Sequence, residues 1–86
     1  MAWVVRLTPN AERQLDRLDP HLGAQIRARL REAAEGDPFL GAKPLRGELR
    51  TLYRYRVTKW RAIVDIRLRE RLIVVLDVGR RDTIYK

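Results

Sequence analysis

Cysteine is absent from this 86-residue chain, and histidine occurs once, at His21. Without cysteine, neither a disulfide nor a thiolate metal site can hold the fold, and a lone histidine argues against a zinc site built on imidazoles. No apolar run approaches the roughly 20 residues of a membrane span. No signal peptide precedes the first β-rich segment. Internal repeats, low-complexity tracts and linkers are missing as well. The expectation is a cytoplasmic protein with no membrane contact, no metal and no cofactor. The length supports one modest core, so residues 1–86 should form a single domain.

What the chain does have is positive charge, unevenly placed. The formal net charge is +8. Residues 1–42 hold six arginines against six acidic residues, whereas residues 43–86 hold thirteen Lys and Arg against five Asp and Glu. The whole excess lies in the second half. Charge concentrated in this way is the electrostatic footprint of a polyphosphate or of an acidic protein partner. Sixteen of the nineteen basic residues are arginine, whose planar fork matches phosphate geometry and stacks on bases.

Taken in order, Ala2 to Leu7 alternates Trp3, Val5 and Leu7 against Val4 and Arg6 and reads as a strand. Thr8-Pro9 supplies a helix cap and a proline at the first helical position, and Ala11, Leu15 and Leu18 follow as an apolar stripe. Asp19-Pro20 repeats that signal. The second stripe, Leu22, Ile26, Leu30 and Ala33/Ala34, stops at Gly36 and Asp37-Pro38, giving a helical hairpin with a tight joint. His21 falls in the first turn of the second helix and reads as a surface residue. Trp3 and the helical hairpin could together offer an exposed apolar patch. Phe39 to Gly47 reads as a loop, with Leu45 turned to the core. Arg67 to Arg71 reads as a turn, and Leu72 to Val78 as a central strand covered on both faces and broken by Gly79. The order β-α-α-β-β-β makes an α+β fold, a helical hairpin packed on one face of a small antiparallel sheet with the other face open.

Leu52 to Val64 carries the functional signal. Polar and apolar residues alternate from Leu52 to Val57, and a second β-rich run opens at Trp60, leaving Thr58-Lys59 as a two-residue hairpin loop. In that register Val57 faces Trp60 and Arg56 faces Arg61, so Arg54, Arg56 and Arg61 share one face. Like charges opposite one another on a sheet are unfavourable, and such a face favours an anion. The plainer alternative is the solvated face of an antiparallel sheet.

Several segments, in this order and at this spacing, resemble the RelE/ParE superfamily of bacterial toxins from toxin–antitoxin pairs. They are Lys43-Pro44-Leu45-Arg46-Gly47, then Tyr53-Arg54-Tyr55-Arg56-Val57 with Trp60-Arg61-Ala62-Ile63-Val64, and finally Val78-Gly79-Arg80-Arg81-Asp82-Thr83-Ile84-Tyr85. The resemblance covers nearly the full length and implies the RelE-like microbial RNase fold. In the RelE branch it implies a ribosome-dependent endoribonuclease that cuts mRNA in the decoding site without metal. The catalytic positions then fall on Arg54, Arg56, Arg61, Arg81 and Tyr85, with Lys43, Arg46, Lys59 and Arg80 as further RNA-binding residues. Implied partners are a cognate antitoxin, acidic where it wraps the chain, together with the ribosome and mRNA.

RNA self-cleavage needs the 2′-OH deprotonated, the phosphate's growing charge stabilised and the leaving 5′-oxygen protonated. Clustered arginines serve the second need. Where RelE-like enzymes often carry lysines on the hairpin strand this chain has Arg54 and Arg56, and Arg80 stands where many relatives carry His or Lys. Arginine stays protonated and makes a poor base, which leaves Tyr85 as the site residue able to exchange a proton. The ParE branch implies a different outcome, a toxin that inhibits DNA gyrase by protein contact. A non-catalytic basic module that binds RNA is the third reading. The RelE reading expects the five catalytic positions to converge on one concave surface.

Overall fold

The computed structural model describes residues 2–45 and 52–80. Its elements are β1 (Val4–Leu7), α1 (Pro9–Asp16), α2 (Pro20–Glu35), β2 (Lys43–Pro44), β3 (Leu52–Val57), β4 (Trp60–Arg67) and β5 (Leu72–Arg80). Both helices start where the sequence places them. The Thr8 hydroxyl accepts from the Ala11 N–H at 3.1 Å, and an Asp19 carboxylate oxygen accepts from the His21 N–H at 2.8 Å. Each bond satisfies one of the amide donors that a helix N-terminus leaves unpaired. Pro9 and Pro20 follow their caps directly, where a missing N–H costs nothing. Among the described residues, no helix is long and apolar enough to cross a membrane.

The sheet has five strands in the order β1-β5-β4-β3-β2. It is mixed. β1 runs parallel to β5, and the remaining pairs are antiparallel. The parallel pair arises because α1, α2 and β2 to β4 all intervene before the chain returns beside β1, a long crossover that a parallel pair requires. The fifth strand is β2, inside the stretch expected to be a loop. Its two residues pair with β3, Lys43 against Arg54 and Pro44 against Tyr53.

The helices cover one face of this sheet. Ala11 and Leu15 of α1 and Ile26, Leu30, Ala33 and Ala34 of α2 are buried against Tyr55, Ala62, Val64, Ile66, Ile73, Val75 and Val78. Val75 and Val78 lie three residues apart, yet both face the helices. A bulge allows it: Ile63 pairs with Asp77 but Val64 pairs with Val75, so Leu76 is the extra residue. Beyond Leu7, where β1 ends, side chains of α1 complete the free edge of β5. Thr8 and Asn10 donate to the Leu76 carbonyl, Gln14 Oε1 accepts from the Val78 N–H at 2.7 Å, and Gln14 Nε2 donates to Asp77 at 2.6 Å.

Three further expectations need correcting. Trp3 is not part of an exposed patch. It is 9% exposed and meets Phe39 edge-on at 6.2 Å between ring centroids, while in β1 Val4 is an exposed apolar residue and Arg6 is exposed as well. Gly79 does not break β5. The ladder continues to Arg80, with Gly79 opposite Arg61, because backbone alone makes the ladder and a missing side chain leaves room over the strand. β5 is not covered on both faces either: Ile73, Val75 and Val78 are buried, whereas Leu72, Val74 and Leu76 are half-buried. With both helices on one side, the second face takes its cover from elsewhere and incompletely.

Candidate nucleic-acid interface

The β3–β4 hairpin has the register read from its sequence. Val57 pairs with Trp60 and Arg56 with Arg61, and Arg54 pairs with Ile63 on one side and Lys43 on the other. Residues paired directly across strands point to the same face. Lys43, Arg54, Arg56 and Arg61 therefore all project away from the helices. Together with Gly41 they line a recessed cavity of about 60 Å³. That is about two water volumes, room for one small oxyanion group.

The four cations differ in setting. Arg61 is buried, at 8% exposure, Arg54 is half-buried, and Lys43 and Arg56 are exposed. Neither Arg54 nor Arg61 is without a partner. Arg56 is held by the turn it flanks, its Nε donating to the Thr58 carbonyl at 3.2 Å. The turn itself carries strain, since Thr58 adopts φ +55° without being glycine. Four cations gathered on one recessed face give it a positive potential that favours an approaching anion.

The second wall of the cavity comes from the chain after α2. Gly41 adopts φ +75°, a left-handed conformation that side chains resist, and a Cβ there would stand 2.9 Å from Arg29 Nη2. Arg29 Nη2 donates to the Leu40 carbonyl at 2.9 Å, and its guanidinium lies 4.4 Å from the Tyr55 ring centroid. Tyr55 is fully buried and donates its hydroxyl to the Pro38 carbonyl at 2.6 Å. Burial pushes the Tyr55 phenol up to about 12, against the pull of Arg29, which favours the phenolate, and with a further push from Asp37. Tyr55 is thus a fixed donor and not a proton carrier.

Residues 5–85 match the family described as the ParE toxin of the type II toxin–antitoxin system parDE. The chain belongs to the RelE/ParE toxin superfamily. The toxin is 32% identical to a chain of the RelBE2 toxin–antitoxin complex from Mycobacterium tuberculosis, with a TM-score of 0.76, covering 94% of this chain and 100% of that one. A mutant of the E. coli toxin RelE in the free state is 21% identical with a TM-score of 0.83, over 98% of this chain and 88% of that chain. The archaeal RelE–RelB complex from Pyrococcus horikoshii OT3 matches at 20% identity and a TM-score of 0.75, over 96% and 99%. No curated protein matches the chain by sequence.

The toxin's expected site residues divide into three groups. Arg54, Arg56 and Arg61, with Lys43, are brought together. Lys59 sits exposed in the hairpin turn, and Arg80 pairs with Trp60, which directs it to the helix-bearing face; neither lines the cavity. Arg46, Arg81 and Tyr85 lie outside the described residues. His21 is exposed, as the sequence indicates. Two contributors escaped sequence reading, Gly41 and Arg29. A glycine followed two residues later by a lysine that leads into a strand was the available signal for the first, whereas nothing in a helical sequence announces the second.

Proposed function

We propose that this toxin is a ribosome-dependent mRNA endonuclease, residues 1–86 forming one toxin domain that acts in the cytoplasm. The observation that carries this reading is the convergence of Lys43, Arg54, Arg56 and Arg61 on one phosphate-sized cavity. In the proposed reaction the 2′-oxygen of a ribose forms a bond to the adjacent phosphorus as the phosphorus–5′-oxygen bond breaks. The products are a 2′,3′-cyclic phosphate and a free 5′-OH. Arg54, Arg56, Arg61 and Arg81 stabilise the growing charge on the phosphoryl oxygens, Tyr85 in its phenolate form takes the 2′-OH proton, and the departing 5′-oxygen takes a proton from solvent water. Lys43, Arg46 and Lys59 hold flanking phosphates, whereas Arg80, directed to the helix-bearing face, takes no part. Arginine electrostatics take the place of a Lewis acid, so the scheme calls for no metal and no cofactor. The cognate antitoxin is an acidic segment that neutralises this surface, in keeping with the toxin–antitoxin complexes among the structural relatives.

The second reading, inhibition of DNA gyrase by protein contact, is favoured by the description of the matching family as ParE. One experiment separates the two. After induction of the toxin in cells, mRNA 5′ ends are mapped and the DNA-damage response is followed. Codon-phased cleavage that is lost in Tyr85→Phe supports the nuclease. Intact mRNA with a strong damage response refutes it in favour of gyrase.

A further inference from the structure

We infer that Arg29 is a positioning residue for the basic cavity: from the helix-covered side of the sheet it holds the loop that sets Lys43 beside Arg54. The inference rests on the reading of that cavity as an RNA-phosphate site, and adds to it a residue that touches no ligand.

Arg29 lies on α2, and its guanidinium stacks on Tyr55 while donating to the Leu40 carbonyl. Tyr55 in turn donates to the Pro38 carbonyl. The loop is thereby pinned at two carbonyls, two residues apart, by a stacked pair. Between this anchor and the cavity comes Gly41, whose missing Cβ leaves the space that Arg29 Nη2 fills. The left-handed turn and the guanidinium share one volume, so the position of either fixes the other.

Lys43 needs such an external hold. It belongs to a strand of two residues, Lys43 and Pro44, and proline has no N–H to give to a ladder. Its cross-strand neighbour is Arg54, a like charge that disfavours the pairing. One backbone bond, from the Leu45 N–H to the Leu52 carbonyl at 3.0 Å, ties the far end of this segment to β3, so the near end, where Lys43 sits, depends on how the preceding loop is held. Arginine suits the task because one planar group both stacks on a ring and presents a directed fork, which an ammonium cannot do.

The test is binding of a fluorescein-labelled oligouridylate to the purified toxin over a potassium chloride series, read by anisotropy. Variants are Lys43→Ala, Arg29→Lys, Arg29→Gln and each Arg29 change combined with Lys43→Ala. Lys43→Ala should lower the slope of log affinity against log salt by about 0.7, the counterion yield of one contact to a single strand. Arg29→Lys and Arg29→Gln should lower it equally in a protein that circular dichroism shows to be folded, and should have no further effect once Lys43 is gone. Arg29→Lys keeps the charge and the aliphatic stem, so it decides the matter if Arg29→Gln does not fold. Wild-type slope in a folded Arg29 variant, or a loss of affinity that is the same with and without Lys43, overturns the positioning role. An unchanged slope in Lys43→Ala and in Arg56→Ala instead overturns the phosphate reading, and this inference falls with it.

Discussion

Replacing Tyr55 by phenylalanine removes one hydroxyl and nothing else, and its consequence should reverse with pH. At neutral pH the variant leaves the Pro38 carbonyl, now 2.6 Å from the phenol oxygen, without its donor. A loss of about 1–1.5 kcal/mol is the ordinary cost. An unperturbed tyrosine phenol titrates at 10.0, and that of Tyr55 is raised to about 12, chiefly because burial disfavours the phenolate. Between those values the unfolded chain has released the proton and the folded chain has not, so the unfolded state binds fewer protons and stability falls as pH rises. The contribution is complete below about pH 10, is down by about 1.4 kcal/mol near pH 11, and by about 2.7 kcal/mol above pH 12. The wild-type advantage over Tyr55→Phe should therefore vanish near pH 11 and then change sign. Urea unfolding followed by the fluorescence of Trp3 and Trp60 measures it, with wild type and variant compared at each pH so that titrations common to both cancel. A difference in stability that stays constant from about pH 8 to about pH 11.5 would falsify the reasoning. In that event the hydroxyl is not in the low-dielectric setting that fixes the loop beside the basic cavity.

Two further outcomes follow from the backbone and the sheet edge. Thr58→Gly should raise stability by about 0.5–1 kcal/mol in thermal unfolding, since φ +55° is strained for a β-branched residue and open to glycine; a loss of stability would refute strain at that turn. Gln14→Leu should cost about 1–3 kcal/mol by leaving the Val78 N–H and the Asp77 carboxylate without their partner, and should speed hydrogen exchange at the Val78 amide before the rest of β5.

Much of this toxin was legible in its residue order because the signals were local. Thr8-Pro9 and Asp19-Pro20 carry their own capping chemistry, so the helix starts needed no tertiary information. The two-residue gap between Val57 and Trp60 set the hairpin register, and that register alone puts Arg54, Arg56 and Arg61 on one face. The uneven charge pointed to that same half of the chain. Membership of the family was legible too, from motifs whose order mattered more than any one of them.

The remainder depended on distance in sequence. That β1 joins the sheet beside β5, and runs parallel to it, depends on sixty-odd residues of intervening chain that period-2 alternation cannot register. The bulge at Leu76 is invisible in a run of β-branched residues, because each of them would suit either face until pairing with β4 chooses. The cavity is decided in the same way. Lys43 reaches it through a strand too short to signal itself, Gly41 turns the chain toward it, and Arg29 anchors that turn from a helix on the far side. Local sequence determined which side chains share a strand face. Only the packing of α2 on the sheet decided which of the other cations would join them there, because that choice depends on contacts between residues far apart in the chain.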